Sequence, residues 1–266
     1  MKKRKGAPLG QHFLKNPQVA KAVAEGARIQ ENDLVLEIGP GKGMLTGVLL
    51  LKGARVLAIE KDPAMIHILN ETFRKEIKEK KLEIKEMDIR DFLTLETQNS
   101  ELRTSYKVAA NIPYYITGEL IRAFLTAAHQ PTSIAFLVQK EVAQRIARSK
   151  KESILSLSVK VYGIPRYVQT VARGNFNPPP SVDSAILVIE KISRNNFIDV
   201  SEEMFFKTVK AGFAQKRKTL GGNLKRVFGT KASSALTVCS INPKSRAEDI
   251  PLSQWLSLTK CLETLV

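Results

Sequence analysis

Between Leu34 and Val138 short runs rich in Val, Ile and Leu alternate with stretches whose apolar residues recur at helical spacing. The runs predict strands at Leu34–Ile38, Arg55–Glu60, Leu82–Met87, Lys107–Ala110 and Ile134–Val138, with two more at Tyr167–Val171 and Ala185–Glu190. Helices are expected at about Met44–Leu51, Pro63–Lys80, Gly118–Ala128, Glu141–Arg148 and Ile154–Val161. Upstream, Asn16 suits a cap and Pro17 the first position of a short helix ending near Gly26. Strands separated by helices are joined by crossovers, so the chain is restricted to a mostly parallel sheet covered on both faces, the α/β class. The last two strands are linked by a short Pro-rich segment with no room for a crossover helix. An antiparallel pair at one edge is therefore expected.

Past Ile192 the texture changes. Ser193-Arg194-Asn195-Asn196 is a polar break, and short helical patterns follow, separated by Gly221-Gly222, Gly229, Asn242-Pro243 and Pro251. This predicts an α/β domain over 1–192, beginning with a basic mobile tail at 1–10, and a small all-α domain over 193–266. The net charge of +16 is unevenly spread. From Met204 to Ala247 there is no Asp or Glu, but there are Lys207, Lys210, Lys216, Arg217, Lys218, Lys225, Arg226, Lys231, Lys244 and Arg246. A one-signed region of this kind attracts a polyanion. Its cations are scattered among Gly, Asn and Thr and do not line one side of an amphipathic helix, which favours nucleic acid over an anionic membrane.

No segment approaches the run of about 18 apolar residues that spans a bilayer, and the basic start lacks a signal peptide's apolar region. Cys239 and Cys261 lie far apart in sequence without nearby His. That argues against a zinc site or a disulfide framework and fits a reducing compartment. The expectation is an intracellular, cytoplasmic protein without a metal site.

Leu34-Val35-Leu36-Glu37-Ile38 runs into Gly39-Pro40-Gly41-Lys42-Gly43 and then a helix. Open parallel sheets bind ligands outside the carboxyl ends of their strands, where glycines admit close approach. Glu60 closes the next strand, with oxygens suited to ribose hydroxyls. Asp88 closes the one after, with Ile89 beside it, placed for an adenine amino group and ring. A Walker loop is excluded because Lys42 is followed by Gly43 rather than Ser or Thr. A dinucleotide fingerprint is incomplete, since its third glycine position holds Met44, and it stays as the runner-up to S-adenosyl-L-methionine, which has no pyrophosphate to bind.

The fourth strand end is Asn111-Ile112-Pro113-Tyr114-Tyr115. Pro113 ends the ladder because it has no N–H. An amide and an aromatic ring are thereby presented together, able to hold a planar heterocycle by its edge and its face.

These stretches, with Gly10-Gln11-His12-Phe13-Leu14, Gln139-Lys140-Glu141-Val142-Ala143-Gln144-Arg145, Asn175-Phe176-Asn177-Pro178-Pro179-Pro180-Ser181-Val182-Asp183-Ser184 and Phe213-Ala214-Gln215-Lys216-Arg217-Lys218-Thr219-Leu220, resemble the ordered motifs of the small-subunit ribosomal RNA adenine dimethyltransferases over nearly the whole chain. The resemblance implies a Rossmann-like class I S-adenosylmethionine-dependent methyltransferase domain with a helical C-terminal domain. It also implies transfer of four methyl groups to the N6 atoms of two adjacent adenosines near the 3′ end of small-subunit rRNA. Cofactor positions carried across are His12, Leu14, Gly39, Glu60, Asp88 and Asn111, with Gly41, Lys61 and Ile89 beside them. His12 stands where relatives often have Asn, and Tyr115 is likewise often Asn, so Tyr115 takes no role.

On this reading the Asn111 amide oxygen and the Ile112 carbonyl take the two N6 hydrogens and aim the lone pair at the methyl group, with Pro113 fixing the turn. Tyr114 and Phe176 are expected to sandwich the base, with the Pro-rich segment stiffening the Phe176 loop. Lys216, Arg217, Lys218, Lys225 and Arg226 are the expected RNA contacts. The expected partner is small-subunit rRNA in a pre-30S-type particle in ribosome biogenesis, bound by a monomer. Two alternatives stay open at this stage: an assembly factor that no longer needs catalysis, and a large-subunit rRNA adenine methyltransferase of the antibiotic-resistance kind.

Overall fold

The computed structural model describes residues 11–94, 102 and 104–264; the expected tail at 1–10 lies outside them. The strands are β1 (Phe13–Leu14), β2 (Leu34–Ile38), β3 (Arg55–Glu60), β4 (Leu82–Glu86), β5 (Tyr106–Asn111), β6 (Ser133–Gln139), β7 (Ile164–Val171), β8 (Phe176–Asn177) and β9 (Ser184–Glu190). Seven of them form one sheet in the order β4-β3-β2-β5-β6-β9-β7. The first five run parallel and β9 pairs antiparallel with β6. The two strands expected to pair, β9 and β7, are neighbours at the end of the sheet. The separate two-stranded ribbon β1-β8 was not foreseen, because two residues carry no period.

The helices are α1 (Pro17–Gly26), α2 (Met44–Leu51), α3 (Pro63–Thr72), α4 (Arg74–Lys78), α5 (Ile89–Thr94), α6 (Thr117–Thr126), α7 (Lys140–Ala147), α8 (Ile154–Lys160), α9 (Glu202–Gly212), α10 (Leu220–Phe228), α11 (Lys231–Val238) and α12 (Leu252–Thr264). Asn16 caps α1 as expected, its side chain accepting from the Gln18 N–H at 2.9 Å. The single helix expected over Pro63–Lys80 is broken at Phe73, which leaves helical geometry at φ −112° and ψ 29°. Its ring occupies the space where a side chain on Gly43 would stand.

One face of the sheet is sealed by α1 and α2. Val19, Ala20, Val23, Leu45 and Leu49 pack on Val35, Val56, Ala109, Leu137, Ile186 and Val188. At about 1.5–3 kcal/mol for each large apolar side chain, this burial is the main source of cohesion. On the other side Leu120, Ile121, Phe124 and Leu125 of α6 are buried, and the Phe124 ring meets Phe136 of β6 at 6.4 Å.

The chain divides into two compact units, Met1–Ala143 with Pro165–Ile192, and Gln144–Ile164 with Ser193–Val266. The sequence boundary near Ile192 is thus one junction of several. Residues 144–164, assigned by sequence to the first domain, group with the C-terminal helices. Within that second unit Tyr162 explains why: its ring packs on Phe197 at 5.2 Å and Phe206 at 6.2 Å, and its hydroxyl donates to Glu202 at 2.5 Å. The two cysteines, distant in sequence, also meet here, with sulfurs 3.1 Å apart. Burial and the neighbouring Cys261 thiol push Cys239 up to about 12.

Candidate active site

Parallel register brings the site together. Ile38 of β2 stands opposite Ile59 of β3 and Ala110 of β5, so the residues that follow them, Gly39, Glu60 and Asn111, reach the carboxyl edge of the sheet at one level. There a cleft of about 1080 Å³, open mouth included, is lined by His12, Leu14, Gly39, Gly41, Glu60, Lys61, Asp88, Ile89, Asn111, Ile112, Pro113 and Tyr114. Every predicted cofactor residue and four of the five predicted catalytic residues therefore share one cavity.

The turn after β2 shows what the cleft accepts. Gly39 has φ +61° and no protein atom within 4 Å of where a Cβ would point, so its conformation requires glycine and the space in front is open. The Gly39 N–H donates to the Ile59 carbonyl, the Gly43 N–H to Pro40, and the Gly41 N–H to Glu60 Oε2 at 3.1 Å. These three N–H groups are thus committed within the protein, and Met44 stands where a dinucleotide fingerprint would place its third glycine. Glu60 Oε1 also accepts from the N–H groups of Lys61 and Asp62, at 2.9 and 3.0 Å. About four acceptor directions are available on a carboxylate and three are used, which leaves roughly one for a ribose hydroxyl rather than the pair foreseen. Asp88 accepts from the Arg90 N–H at 3.0 Å, and its second oxygen lies 3.5 Å from Lys61 Nζ. These partners, the Arg90 N–H first, hold its carboxyl below the ordinary range, so it stays an acceptor suited to an exocyclic amine. An adenosine without phosphates fits this set.

Asn111 Nδ2 donates to the main-chain carbonyl of His12 at 2.8 Å, and so its Oδ1 is the end of the amide left for a substrate. Ile112 is buried, and Pro113 opens a short turn over Tyr114–Ile116. The Tyr114 hydroxyl shares a 2.6 Å hydrogen bond with Ser184, and burial pushes its phenol up, so the ring is fixed and neutral. His12 Nδ1–H donates to the Pro178 carbonyl at 2.8 Å, and the two rings stand 6.1 Å apart at 30°. Both rings are thus tied to the Pro-rich segment.

Phe176 corrects the expected sandwich. It is 1 % exposed, paired with Leu14 in the ribbon and packed into the core with Val19 and Val23, and it does not line the cleft. An aromatic flanked by prolines reads equally well as a clamp or as a plug, and here apolar burial prevails. Sequence reasoning also passed over Glu37, which lines the cleft at 1 % exposure. The signal was present, since an acid stood inside an otherwise apolar strand.

In the second unit Lys216, Arg217, Lys218, Lys225 and Arg226 are all exposed. Among the described residues none of the ten cations between Met204 and Ala247 lies within ion-pairing distance of a carboxylate. No described helix is long and apolar enough to cross a membrane, and no described cluster of His, Cys, Asp and Glu could hold a metal ion.

A β4-β3-β2-β5-β6-β9-β7 sheet in which β9 runs antiparallel to β6, with a cleft at the carboxyl edge of its parallel strands, is the architecture of a class I S-adenosylmethionine-dependent methyltransferase. Comparison with known proteins narrows the class: the sequence profile described as Ribosomal RNA adenine dimethylase matches residues 2–264, and the chain belongs to that family. It is 39 % identical to the Ribosomal RNA small subunit methyltransferase A of Dehalococcoides mccartyi strain BAV1, over 99 % of this chain and 89 % of that one. It is 35 % identical to the protein of the same name in Fusobacterium nucleatum, over 96 % of each. Among solved structures, a dimethyladenosine transferase from Plasmodium falciparum superposes with TM-score 0.72 at 26 % identity, covering 93 % of this chain and 96 % of that one. The 23S rRNA methyltransferase ErmE shares the fold at TM-score 0.73 and 23 % identity, covering 94 % and 99 %.

Proposed function

We propose that this protein dimethylates the N6 atoms of two adjacent adenosines near the 3′ end of small-subunit rRNA, acting as a cytoplasmic monomer on a pre-30S-type particle during ribosome biogenesis. The observation that carries the reading is the fixed Asn111 amide. With Nδ2 committed to His12, Oδ1 and the Ile112 carbonyl offer two acceptors to the two hydrogens of an adenine N6. The bound cofactor supplies an electrophilic methyl group on a positively charged sulfur. N6 is a weak nucleophile because its lone pair is delocalised into the ring, and two acceptors at its hydrogens favour the pyramidal form with that pair free. Tyr114, tied to Ser184, supplies a face for the base, which must leave any stack to reach it. No side-chain base is needed before transfer, since the product nitrogen, once positive, loses its proton readily to water.

Glu60, Asp88 and Ile89 would hold the nucleoside of the cofactor, with His12, Leu14, Gly39, Gly41 and Lys61 around it. Lys216, Arg217, Lys218, Lys225 and Arg226 would take rRNA phosphates. Small-subunit relatives at 35–39 % identity over nearly the whole chain favour the small subunit, whereas likeness to ErmE is one of fold. The intact Glu60, Asp88, Asn111 and Tyr114 set speaks against a factor without catalysis. To test the reading, unmodified small and large ribosomal subunits are offered together with labelled S-adenosylmethionine. Label in the small-subunit rRNA is expected; label confined to the large subunit would overturn the assignment.

A further inference from the structure

The mechanism leaves one buried acid unused. Glu37 lines the cofactor cleft, is 1 % exposed, and its Oε2 has no hydrogen-bond partner in the protein. Thr46 of α2 faces it and through its side chain and main-chain N–H favours the anion, but neither the Thr46 hydroxyl nor Glu37 Oε2 makes a hydrogen bond of full geometry. An orphaned carboxyl oxygen inside a protein is costly, and a lone buried anion costs more still, so the group holds its proton unless a cation comes near. The one charged group whose field is felt at it, Glu60 of β3, makes ionisation harder. Of the other charged or titratable groups around the cleft, Lys42, Lys61 and Arg90 are cationic, Asp88 is anionic and His12 is held by Pro178. None of these pairs with Glu37.

Resting on the reading of the cleft as an S-adenosylmethionine site, we infer that Glu37 is its charge-sensing group: protonated in the free protein, it releases that proton to solvent when the cationic cofactor binds, and so favours S-adenosylmethionine over S-adenosylhomocysteine. The exchange balances, since one positive charge enters the cleft and one leaves it. Burial, only partly offset by Thr46, pushes the Glu37 carboxyl up to about 8, so near neutral pH there is a proton to release. S-adenosylhomocysteine lacks the sulfonium charge, and its departure lets the carboxyl regain a proton. Over a turnover Glu37 is unchanged, and the one proton released per methyl transferred is that of the substrate amino group.

Isothermal titration of the intact protein at about pH 7, in two buffers of different ionisation enthalpy, counts the protons released on binding. The wild type is expected to release the larger part of one proton per S-adenosylmethionine, falling away at strongly alkaline pH, and clearly less with S-adenosylhomocysteine. The isosteric Glu37→Gln should bind with no such release and lose roughly tenfold of its preference for the charged cofactor. Wild-type binding without proton release, or release undiminished in Glu37→Gln, would overturn the inference while leaving the cofactor assignment standing. Absence of any binding heat and of any competition between the two ligands would instead remove the cofactor reading beneath it.

Discussion

Asn111 Nδ2 and the main-chain oxygen of His12 are 2.8 Å apart, so a residue at the end of β5 is oriented by the segment just before α1. The amide therefore has one available end, an acceptor. Replacing Asn111 by Ala removes that acceptor and leaves the His12 carbonyl without its donor. Single-turnover transfer is expected to fall by about 100-fold to 1,000-fold, the scale of losing one preorganised group at a reacting centre. RNA affinity should stay within about twofold, since phosphate contacts set it. Filter binding beside the rate measurement checks this, and equal loss of both would contradict the role.

Tyr114 separates face from edge. Tyr114→Phe keeps the ring and loses only the 2.6 Å bond to Ser184, at a cost of about 1 kcal/mol in stability. Tyr114→Ala also removes the face proposed to stack on the base, at about 1–3 kcal/mol per base, and should raise KM for rRNA roughly 5-fold to 150-fold. If the two variants behave alike in KM, Tyr114 has no stacking role.

Phe176 should behave as core. Phe176→Ala is expected to destabilise the protein by about 3–5 kcal/mol in denaturant unfolding, whereas Phe176→Leu should retain transfer with unchanged KM. A Leu variant of normal stability with a sharply raised KM would restore Phe176 to the clamp.

Neutralising Lys216, Arg217 and Lys218 together should weaken rRNA binding. The slope of log affinity against log salt should flatten by about 0.7–0.9 for each phosphate contact removed. An unchanged slope would take this cluster out of the RNA footprint.

Glu37 also makes a stability prediction. Its carboxyl is raised from 4.5 to about 8 in the folded chain, so between those values the native state holds more protons than the unfolded state. Its contribution is complete below about 4.5 and is lost as pH rises through about 8, by up to roughly 5 kcal/mol. Chemical unfolding across that window should show the decline in the wild type and a flatter profile in Glu37→Gln.

Much of this was legible in the sequence because the parallel sheet leaves little freedom. Once β2, β3 and β5 are strands in register, Gly39, Glu60 and Asn111 must arrive at one edge, whatever the loops do. What could not be read depends on packing between segments distant in the chain. The Leu14–Phe176 pairing turned an expected clamp into core, and Tyr162 drew residues 144–164 to the C-terminal helices. Cys239 and Cys261 meet only because α11 and α12 pack together. Glu37 stands out in the sequence as an acid in an apolar strand, but that its Oε2 is buried without a hydrogen bond follows only from the packing of α2 on β2.

The most direct test is nucleoside analysis of small-subunit rRNA after incubating unmodified particles with the protein and labelled S-adenosylmethionine. The account predicts label in N6,N6-dimethyladenosine at two neighbouring positions near the 3′ end, and almost none with Asn111→Ala. No labelled dimethyladenosine from the wild-type protein, or label on another base atom, would contradict it.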